Sequence, residues 1–354
     1  MSAPAMLHCD GAGRYWDRES DAELVCLAVR DETHDMRTFT FGGRDGQYFD
    51  VLPGQYFTFD VGIDGVVEQR CYSVSSSPLR PRTISVTVKR VAGGRVSNWL
   101  HAGLKPGDVV RALGPLGRFT LPPVLPGKLL LLSGGSGITP VMAMARAFAD
   151  GVCAPDTVFL HAARTPADFA FADELRLLAK TMPGFRLILL PETADDGFAG
   201  VTGRISQALM DCAVPDLAER LVMCCGPAPF MAAARAICRD RGVPADRYIE
   251  ESFDAVDEAP VDAPPATTTF SVTFSRQGKT ITVGVGQTIL SAARAQGVVL
   301  PSSCANGLCG TCKSKLVSGK VDMQHNGGIR QREIDAGQIL PCCAKPLGDV
   351  VIDR

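Results

Sequence analysis

The sequence predicts a multidomain protein with an antiparallel β-barrel or sandwich, a parallel α/β domain and a small C-terminal β domain. Three observations support this division. Short alternating apolar segments fill the first third of the chain, strand-like segments then alternate with helical ones, and a Pro- and Ala-rich acidic stretch precedes the last segment. A length of 354 residues is enough for two or three domains with buried cores.

The first domain extends from about Glu23 to Leu121. Its apolar segments alternate with polar residues and are separated by turns such as LPGQ and LKPGD. The predicted strands are MRTFTF, QYFTFDV, RCYSVSS, TISVTVKR and DVVRAL. Strands this short and this frequent are typical of an antiparallel barrel or sandwich.

The second domain extends from Gly127 to about Phe253, and here strands and helices alternate. The strand KLLLLS meets the loop GGSGITP, and the later strands are TVFLHA, FRLILL and RLVMCCG. Helices are predicted over VMAMARAFAD and over ADFAFADELRLLAK, residues 167–180. This alternation indicates a parallel sheet covered on both faces.

The last domain begins after the stretch DAVDEAPVDAPPATTT, which has almost nothing to bury and is predicted to be a linker. From Phe270 to Arg354 the pattern gives strands FSVTFSR, KTITV and DVVID, and one helix, TILSAARAQG. These elements predict a small sheet with one helix across it.

Composition and charge exclude several classes of function. The net charge is −2, which gives no electrostatic footprint for nucleic acid or an anionic membrane. We expect a cytoplasmic protein, because no segment is typical of a signal peptide or of a membrane span. The 13 cysteines are expected to be reduced there, and some of them to be ligands.

Four cysteines near the C-terminus have the spacing C-x4-C-x2-C-x29-C. This spacing is that of plant-type [2Fe-2S] centres. The predicted metal ligands are Cys304, Cys309, Cys312 and Cys342. Gly307 and Gly310 permit the backbone angles that a loop wound around a cluster needs.

Two alternatives apply to this loop. A structural zinc site usually has its cysteines in two C-x2-C-like pairs, whereas here three lie in one loop and one is remote, which favours the cluster. Cys343 is adjacent to Cys342 and is an alternative fourth ligand; the 29-residue spacing favours Cys342.

The last 85 or so residues resemble a plant-type ferredoxin domain. The matching segments are GQTILSAARAQGV, CANGLCGTC, SGKV and GQILPCCAKPLGDVVID. The resemblance implies a β-grasp fold and a [2Fe-2S] cofactor that carries one electron at a time.

In the first domain, the segment RCYSVSSSP has the residue types that bind a flavin. Tyr72 could stack on the flavin ring, Ser73 reach its reactive nitrogen and Arg70 hold its pyrophosphate. Arg, Tyr and Ser in alternation also describe an ordinary half-exposed strand, and the segment alone favours that interpretation.

The loop LLLLSGGSGITPV lies between a strand and a helix. Such a loop lets the backbone approach a pyrophosphate, although it is not the G-x-G-x-x-G fingerprint. Together with RCYS, MCCGPAPFM and YIEESF in this order, it makes residues 23–253 resemble the flavin and nicotinamide domains of the ferredoxin-NADP reductase superfamily.

This resemblance implies domain boundaries and site residues. The domains are an N-terminal extension (1–22), an antiparallel FAD-binding β-barrel (23–124), an NAD(P)H-binding α/β domain (125–253), a linker (254–268) and a [2Fe-2S] ferredoxin domain (269–354). The implied flavin-binding residues are Arg70, Tyr72, Ser73, Val88, Lys89, Gly94, Arg95, Val96 and Ser97. The implied nicotinamide-binding residues are Gly134, Gly135, Ser136, Gly137, Thr139, Arg164, Cys225, Gly226, Pro227 and Phe253. Ser73, Cys225 and Glu251 are the implied catalytic residues, although a cysteine such as Cys225 is usually a small buried hydrophobe.

The domain order is that of reductases that serve phthalate dioxygenase, ketosteroid hydroxylase, phenylacetyl-CoA epoxidase, hybrid-cluster protein and the Rieske monooxygenases of glycine betaine or carnitine. The GGRVSNWL segment is more similar to members that bind FAD than to the phthalate enzyme, which binds FMN. Members with similar sequences mostly use NADH. Arg164 in HAARTP is placed to hold the 2'-phosphate of NADPH, or lies on the surface as arginines usually do.

The five histidines, at positions 8, 34, 101, 161 and 325, form no ligand motif for a Rieske cluster or a di-iron site. We therefore expect oxygen chemistry on a partner protein, with this chain as its NADH-dependent reductase. The favoured acceptor is a Rieske-type N-demethylating or ring-hydroxylating oxygenase. A hybrid-cluster protein or a di-iron oxygenase is an alternative acceptor, and a non-catalytic electron-relay subunit is an alternative class.

Overall fold

The computed structural model describes residues 14–17, 22–151, 154–253, 268–300, 307 and 310–354. The chain divides into two compact units, one of residues 1–115 with 119–253 and one of residues 116–118 with 254–354. The predicted linker lies almost wholly outside the described residues. In the described part of the chain, no helix is long and apolar enough to cross a membrane.

The first unit begins with an antiparallel sheet whose strands follow the order β4-β3-β6-β1-β2-β5. The strands are β1 (Ala22–Asp31), β2 (Met36–Gly43), β3 (Tyr56–Ile63), β4 (Val66–Ser73), β5 (Ile84–Lys89) and β6 (Val109–Leu116), and helix α1 (Arg95–Gly103) follows β5. Phe39, Phe41, Phe57 and Phe59 recur every second residue on β2 and β3 and are fully buried. Alternation thus gives the sheet its core.

A bridge between Val74 and Val86 joins the two edge strands and closes this sheet into a barrel. The backbone N–H of Val74 also donates to Gln55 O at 2.8 Å, and that of Ser75 donates to Ser85 O at 2.8 Å. The segment that follows β4 is therefore hydrogen-bonded on both sides. The structure confirms the predicted antiparallel barrel.

The rest of the first unit is a parallel sheet of order β11-β10-β7-β8-β9. Its strands are β7 (Lys128–Gly134), β8 (Asp156–Ala163), β9 (Phe185–Pro191), β10 (Leu221–Cys225) and β11 (Tyr248–Glu251). Its helices are α2 (Ile138–Asp150), α3 (Ala172–Thr181), α4 (Gln207–Ala213) and α5 (Ala228–Asp240), with 3-10 turns at Gly135–Gly137, Pro166–Asp168, Leu217–Glu219 and Ala245–Arg247. Residues of α2 and α3 pack on one face and residues of α4 and α5 on the other, as the sequence predicts.

One helix differs from its prediction. The sequence predicts a helix over residues 167–180, but α3 begins only at Ala172. Phe169 and Phe171 are buried, and Phe171 has a positive φ of 58° that no α-helix accommodates. The segment before α3 is therefore a packed loop.

The second unit contains a sheet of order β13-β12-β18-β14-β16 with α6 packed against it, and a separate pair of strands. The strands are β12 (Thr269–Phe274), β13 (Lys279–Gly284), β14 (Ser314–Ser318), β15 (Val321–Met323), β16 (Gln338–Ile339), β17 (Ala344–Pro346) and β18 (Val350–Asp353). The helices are α6 (Ile289–Ala295) and α7 (Gln331–Asp335). Strands β12 and β18 are parallel, and the apolar face of α6 lies in the same core. This arrangement is the predicted β-grasp domain.

Candidate flavin, nicotinamide and cluster sites

The C-terminal end of β4 carries the predicted flavin-binding residues. Ser73 is buried and pairs with Tyr56 across the sheet. The Tyr72 ring is half-buried, packs edge-on against Phe59 at 5.6 Å, and has a pKa well above its usual value because of burial. Arg70 Nη1 donates to the carbonyl of Gln69 at 2.7 Å. Aromatic, hydroxyl and cationic groups thus lie within four residues at the end of one strand.

The N-terminus of α1 lies beside this strand's charges. Arg95 in its first turn is 3.3 Å from Glu68, and Arg70 is 3.5 Å from the same carboxylate. The amide groups of a first helical turn and two guanidinium groups favour an anion such as a pyrophosphate. These groups fit the phosphates of a flavin nucleotide.

The turn before α1 is closely packed. A side chain at Gly94 would place its Cβ 2.7 Å from Ser97 Oγ, and this hydroxyl accepts from the backbone N–H of Val91 at 3.2 Å. A side chain at position 94 would therefore displace the Ser97 hydroxyl. The Val96 side chain lies in the barrel core, which leaves its backbone to face a ligand.

Two further predicted flavin residues precede the turn. The Val88 side chain is buried in the barrel core, and its carbonyl is 2.9 Å from His101 Nε2. Lys89 forms an ion pair with Asp35 at 3.3 Å. Neither side chain joins the cluster of Arg70 and Arg95 through a described contact.

The parallel sheet has a topological switch point between β7 and β10. The chain passes from β7 to β8 and β9 on one side, and then returns to β10 and β11 on the other. In open α/β sheets, ligands bind in the crevice at the carboxyl ends of the strands where this reversal occurs. The predicted nicotinamide loops follow β7 and β10.

Glycines allow the two loops to approach closely. A Cβ on Gly137 would lie 2.2 Å from the carbonyl oxygen of Cys225, and one on Gly226 would lie 3.0 Å from the backbone nitrogen of Gly134. Side chains at these positions would displace backbone, which costs more than moving a flexible side chain. The loops therefore present bare backbone at the switch point, as close contact with a dinucleotide requires.

The other predicted residues of this loop support its shape. Gly135 has a φ of +52°, and Thr139 Oγ1 donates to the carbonyl of Ser136 at 3.1 Å. Pro227 immediately precedes α5. Three predicted residues, namely Pro227, Arg164 and Phe253, are exposed, the last to 42%.

A polar row crosses the carboxyl end of this sheet. Glu251, Cys225, Ser133 and His161 are aligned in register on β11, β10, β7 and β8. Ser133 Oγ is 2.9 Å from His161 Nδ1. The sequence predicts Glu251 and Cys225 but not Ser133 or His161, although Ser133 directly precedes the glycines and His161 interrupts an apolar strand.

Two atoms of this row are buried without a hydrogen-bond partner in the described part of the chain, Glu251 Oε2 and His161 Nε2. Burial raises the pKa of the Glu251 carboxyl to about 8 and lowers the pKa of His161 to about 4. Both side chains are therefore neutral at pH 7. An unpaired buried polar atom costs about 1–3 kcal/mol, and this cost is removed when a ligand supplies the missing partner. The edge therefore fits a ligand with polar groups.

The described part of the cysteine loop brings two predicted ligands together. Cys312 and Cys342 are buried, with their Sγ atoms 3.2 Å apart, and the backbone N–H of Gly307 donates to Cys342 Sγ at 3.2 Å. Two sulfurs on one tetrahedral metal with bonds of about 2.3 Å are about 3.8 Å apart, so the pair needs only a small adjustment. Cys304 and Cys309 lie outside the described residues.

The neighbouring backbone also fits a cluster. Gly307 and Gly310 have positive φ angles of 75° and 74°, as predicted for a wound loop. The buried Thr311 hydroxyl has no hydrogen-bond partner within the described ranges. Cys343 Sγ is 3.6 Å from the carbonyl of Leu340, and its side chain also interacts with that of Cys342, so Cys343 stays the alternative fourth ligand.

Comparison with known proteins identifies the three domains. The chain matches the family models of the oxidoreductase FAD-binding domain over residues 25–121, the oxidoreductase NAD-binding domain over 131–236 and the 2Fe-2S iron-sulfur cluster binding domain over 272–347. Together these models cover most of the sequence, in the order that the sequence predicts.

Relatives and a solved structure match along nearly the whole chain. The glycine betaine monooxygenase reductase subunit of Pseudomonas aeruginosa is 40% identical, over 93% of this chain and 94% of that protein. The stachydrine N-demethylase reductase subunit of Rhizobium meliloti is 37% identical, over 94% and 97%. The structure of phthalate dioxygenase reductase matches with a TM-score of 0.59 and 26% identity, over 95% of this chain and 98% of that one. The chain therefore belongs to the family of reductases that join an FAD-binding, an NAD-binding and a [2Fe-2S] domain in one polypeptide.

Proposed function

We propose that this reductase carries electrons from NADH to the terminal component of a Rieske-type monooxygenase that N-demethylates a small substrate. The observation that carries the proposal is the match to the glycine betaine and stachydrine reductase subunits over more than nine-tenths of this chain. Both relatives are named for systems that act on N-methylated compounds. A reductase of this kind works in a cytoplasm, where the cluster thiols stay reduced.

The three domains act together as a converter of electron number. A hydride delivers two electrons, whereas a [2Fe-2S] cluster accepts one, and a bound flavin supplies the exchange between the two. In our proposal the groups of Arg70, Arg95 and the first turn of α1 hold the flavin phosphates. Tyr72 and Ser73 then orient the flavin ring.

The polar row holds the nicotinamide in our proposal. Cys225 and Glu251 end neighbouring strands, so their side chains fix the ring at the switch point between β7 and β10. The protonated Glu251 carboxyl is a hydrogen-bond donor as well as an acceptor, so it can pair with a polar group of the nicotinamide. The glycine loop after β7 takes the pyrophosphate.

We further propose that Cys304, Cys309, Cys312 and Cys342 hold the cluster and that NADH is the donor. Selection of NADPH would need a cation on its 2'-phosphate, and Arg164 is the candidate at the end of β8. If NADH is the donor, Arg164→Ala leaves kcat/KM for NADH within about twofold of the wild type. A loss of NADPH activity alone, from a wild type that prefers NADPH, would reverse the assignment.

An anaerobic titration of the purified protein tests the converter. We expect near-stoichiometric NADH to bleach a flavin band and a broad iron–sulfur band in the visible spectrum, and NADPH to do so far more slowly. A protein that carries both cofactors and responds to neither nucleotide would be a relay subunit. Reduction of a purified Rieske N-demethylase component by NADH plus this protein tests the acceptor, with a hybrid-cluster protein and a di-iron oxygenase as competing acceptors.

A further inference from the structure

One arginine connects the barrel to α2 and α3, the two helices on one face of the parallel sheet. Arg146 lies on α2, and its side chain is only 15% exposed. Its Nη1 donates to the carbonyl of Ser75 at 2.6 Å. Its Nε and Nη2 donate to the two carboxylate oxygens of Glu174 on α3, at 2.7 and 2.6 Å. All three nitrogens of the guanidinium group are thus engaged.

The barrel end of this connection is rigid and close to the predicted flavin-binding residues at the end of β4. Ser75 lies two residues beyond Ser73 and is fully buried. Its backbone N–H donates to Ser85 O at 2.8 Å, and its hydroxyl is 2.9 Å from the hydroxyl of Thr87. The carbonyl that accepts from Arg146 is therefore fixed to the segment that carries Ser73.

The other end is connected to the nucleotide loop. Helix α2 begins directly after the Gly135–Gly137 turn, so a shift of Arg146 along or across the sheet also shifts that loop. Glu174 lies in the first turn of α3. The bidentate pair therefore holds α2 and α3 in one relative position.

A strained residue adjoins this connection. Phe171, immediately before α3, has a φ of 58°, and its ring is buried 4.6 Å from Arg146 Cζ. A bulky residue in the left-handed region is strained and persists only where its surroundings impose it. Stacking of the guanidinium group on the ring contributes to this restraint.

We propose that Arg146 is a positioning residue for hydride transfer. It sets the distance between the end of β4, which carries Tyr72 and Ser73, and the Gly135–Gly137 loop after β7. The inference rests on the proposed function. Hydride transfer requires a near-attack geometry, and a displacement of about 1 Å can cost about 100-fold in rate. Arg146 has no contact with the predicted ligand-binding side chains in the described structure, so its effect acts through Ser75 and α2.

The test compares Arg146→Ala, Arg146→Lys and Glu174→Gln with a matched control, Arg80→Ala. Arg80 also forms a bidentate pair with a carboxylate of α2, Asp150, at 2.8 and 2.7 Å, but its side chain is 74% exposed. The measurement is the rate of flavin bleaching after anaerobic mixing with NADH, and the intensity of the long-wavelength NADH–flavin charge-transfer band. Flavin content, thermal midpoint and reduction of the cluster by dithionite are measured in parallel.

We expect Arg146→Ala to slow flavin reduction by about 10- to 100-fold and to weaken the charge-transfer band, with flavin content and cluster reduction unchanged. Arg146→Lys and Glu174→Gln should give intermediate losses, and Arg80→Ala should stay within about twofold of the wild type. If Arg146→Ala loses its flavin, the two milder variants decide. If Arg146→Lys and Glu174→Gln reduce the flavin as fast as the wild type does, or if Arg80→Ala is slowed as much as they are, this inference is wrong and the proposed function still stands. If the wild-type protein itself does not react with NADH, both the proposed function and this inference are wrong.

Discussion

Replacement of Glu251 by glutamine tests whether this carboxyl group, at the carboxyl edge of the parallel sheet, is protonated in the folded protein. The carboxyl is 7% exposed, and burial raises its pKa from an ordinary 4.5 to about 8. Below pH 4.5 the group is protonated in both the folded and the unfolded chain. Between pH 4.5 and 8 the unfolded chain releases a proton that the folded protein keeps, so stability falls as the pH rises and this decline ends above about pH 8.

The size of the effect follows from the width of this interval. Each pH unit in this interval lowers the free energy of unfolding by about 1.4 kcal/mol. Between pH 4.5 and 8 the wild type therefore loses on the order of 5 kcal/mol of stability, and a Glu251→Gln variant does not. At about 2–4 °C per kcal/mol for a unit of this size, the thermal midpoints of the two proteins should diverge by about 10–20 °C between pH 4.5 and pH 9.

The assay is the temperature at which the holoprotein releases fluorescent flavin, measured at several pH values for the wild type and for Glu251→Gln. Glu250→Gln is the matched control, because Glu250 lies next to Glu251 on β11 but is more exposed and forms an ion pair with Arg235. Its curve should run parallel to that of the wild type. Parallel curves for Glu251→Gln and the wild type would show that Glu251 is ionised in the folded protein, and the reasoning from its burial would be refuted.

Two further predictions concern the cluster loop and the switch point. Cys342→Ser should abolish the iron–sulfur absorption and leave NADH-driven ferricyanide reduction nearly intact, whereas Cys343→Ser should keep the absorption. Visible spectra of the two variants measure this. Loss of the absorption in Cys343→Ser but not in Cys342→Ser would make Cys343 the fourth ligand. Gly137→Ala should lower nicotinamide affinity by tenfold or more, because the new Cβ would lie 2.2 Å from the Cys225 carbonyl oxygen, whereas Gly127→Ala, with nothing within 4 Å, should be silent. Titration of flavin reduction against NADH concentration measures both, and unchanged affinity in Gly137→Ala would mean that the loops separate at little cost.

Local patterns predicted much of this structure. Period-two alternation on β2 and β3 indicated the barrel, and the apolar run of β7 indicated a strand buried on both faces. The spacing of the cysteines singled out Cys312 and Cys342, whose sulfurs lie 3.2 Å apart. These features depend on residues close in sequence, or on a ligand set with a fixed spacing.

Features that depend on contacts between distant segments were not predictable. The helical pattern of residues 167–180 gave no sign that Phe171 would adopt a left-handed conformation, because the residues that hold it there are elsewhere on the chain. Ser133 and His161 are 28 residues apart, and only strand register brings them together. Arg146 gave no signal either, because an arginine on an amphipathic helix is usually solvent-exposed.

The bridge between Val74 and Val86 has a consequence for how the protein regains its flavin. The segment after β4 is hydrogen-bonded to strands on both sides through protein groups alone, so its backbone is preorganised before any ligand arrives. Little conformational entropy then remains to be lost on binding, and the amide protons of Val74 and Ser75 should exchange slowly with solvent even after the flavin is removed. Apoprotein prepared without unfolding should therefore rebind flavin in a single fast step, without a slow folding phase.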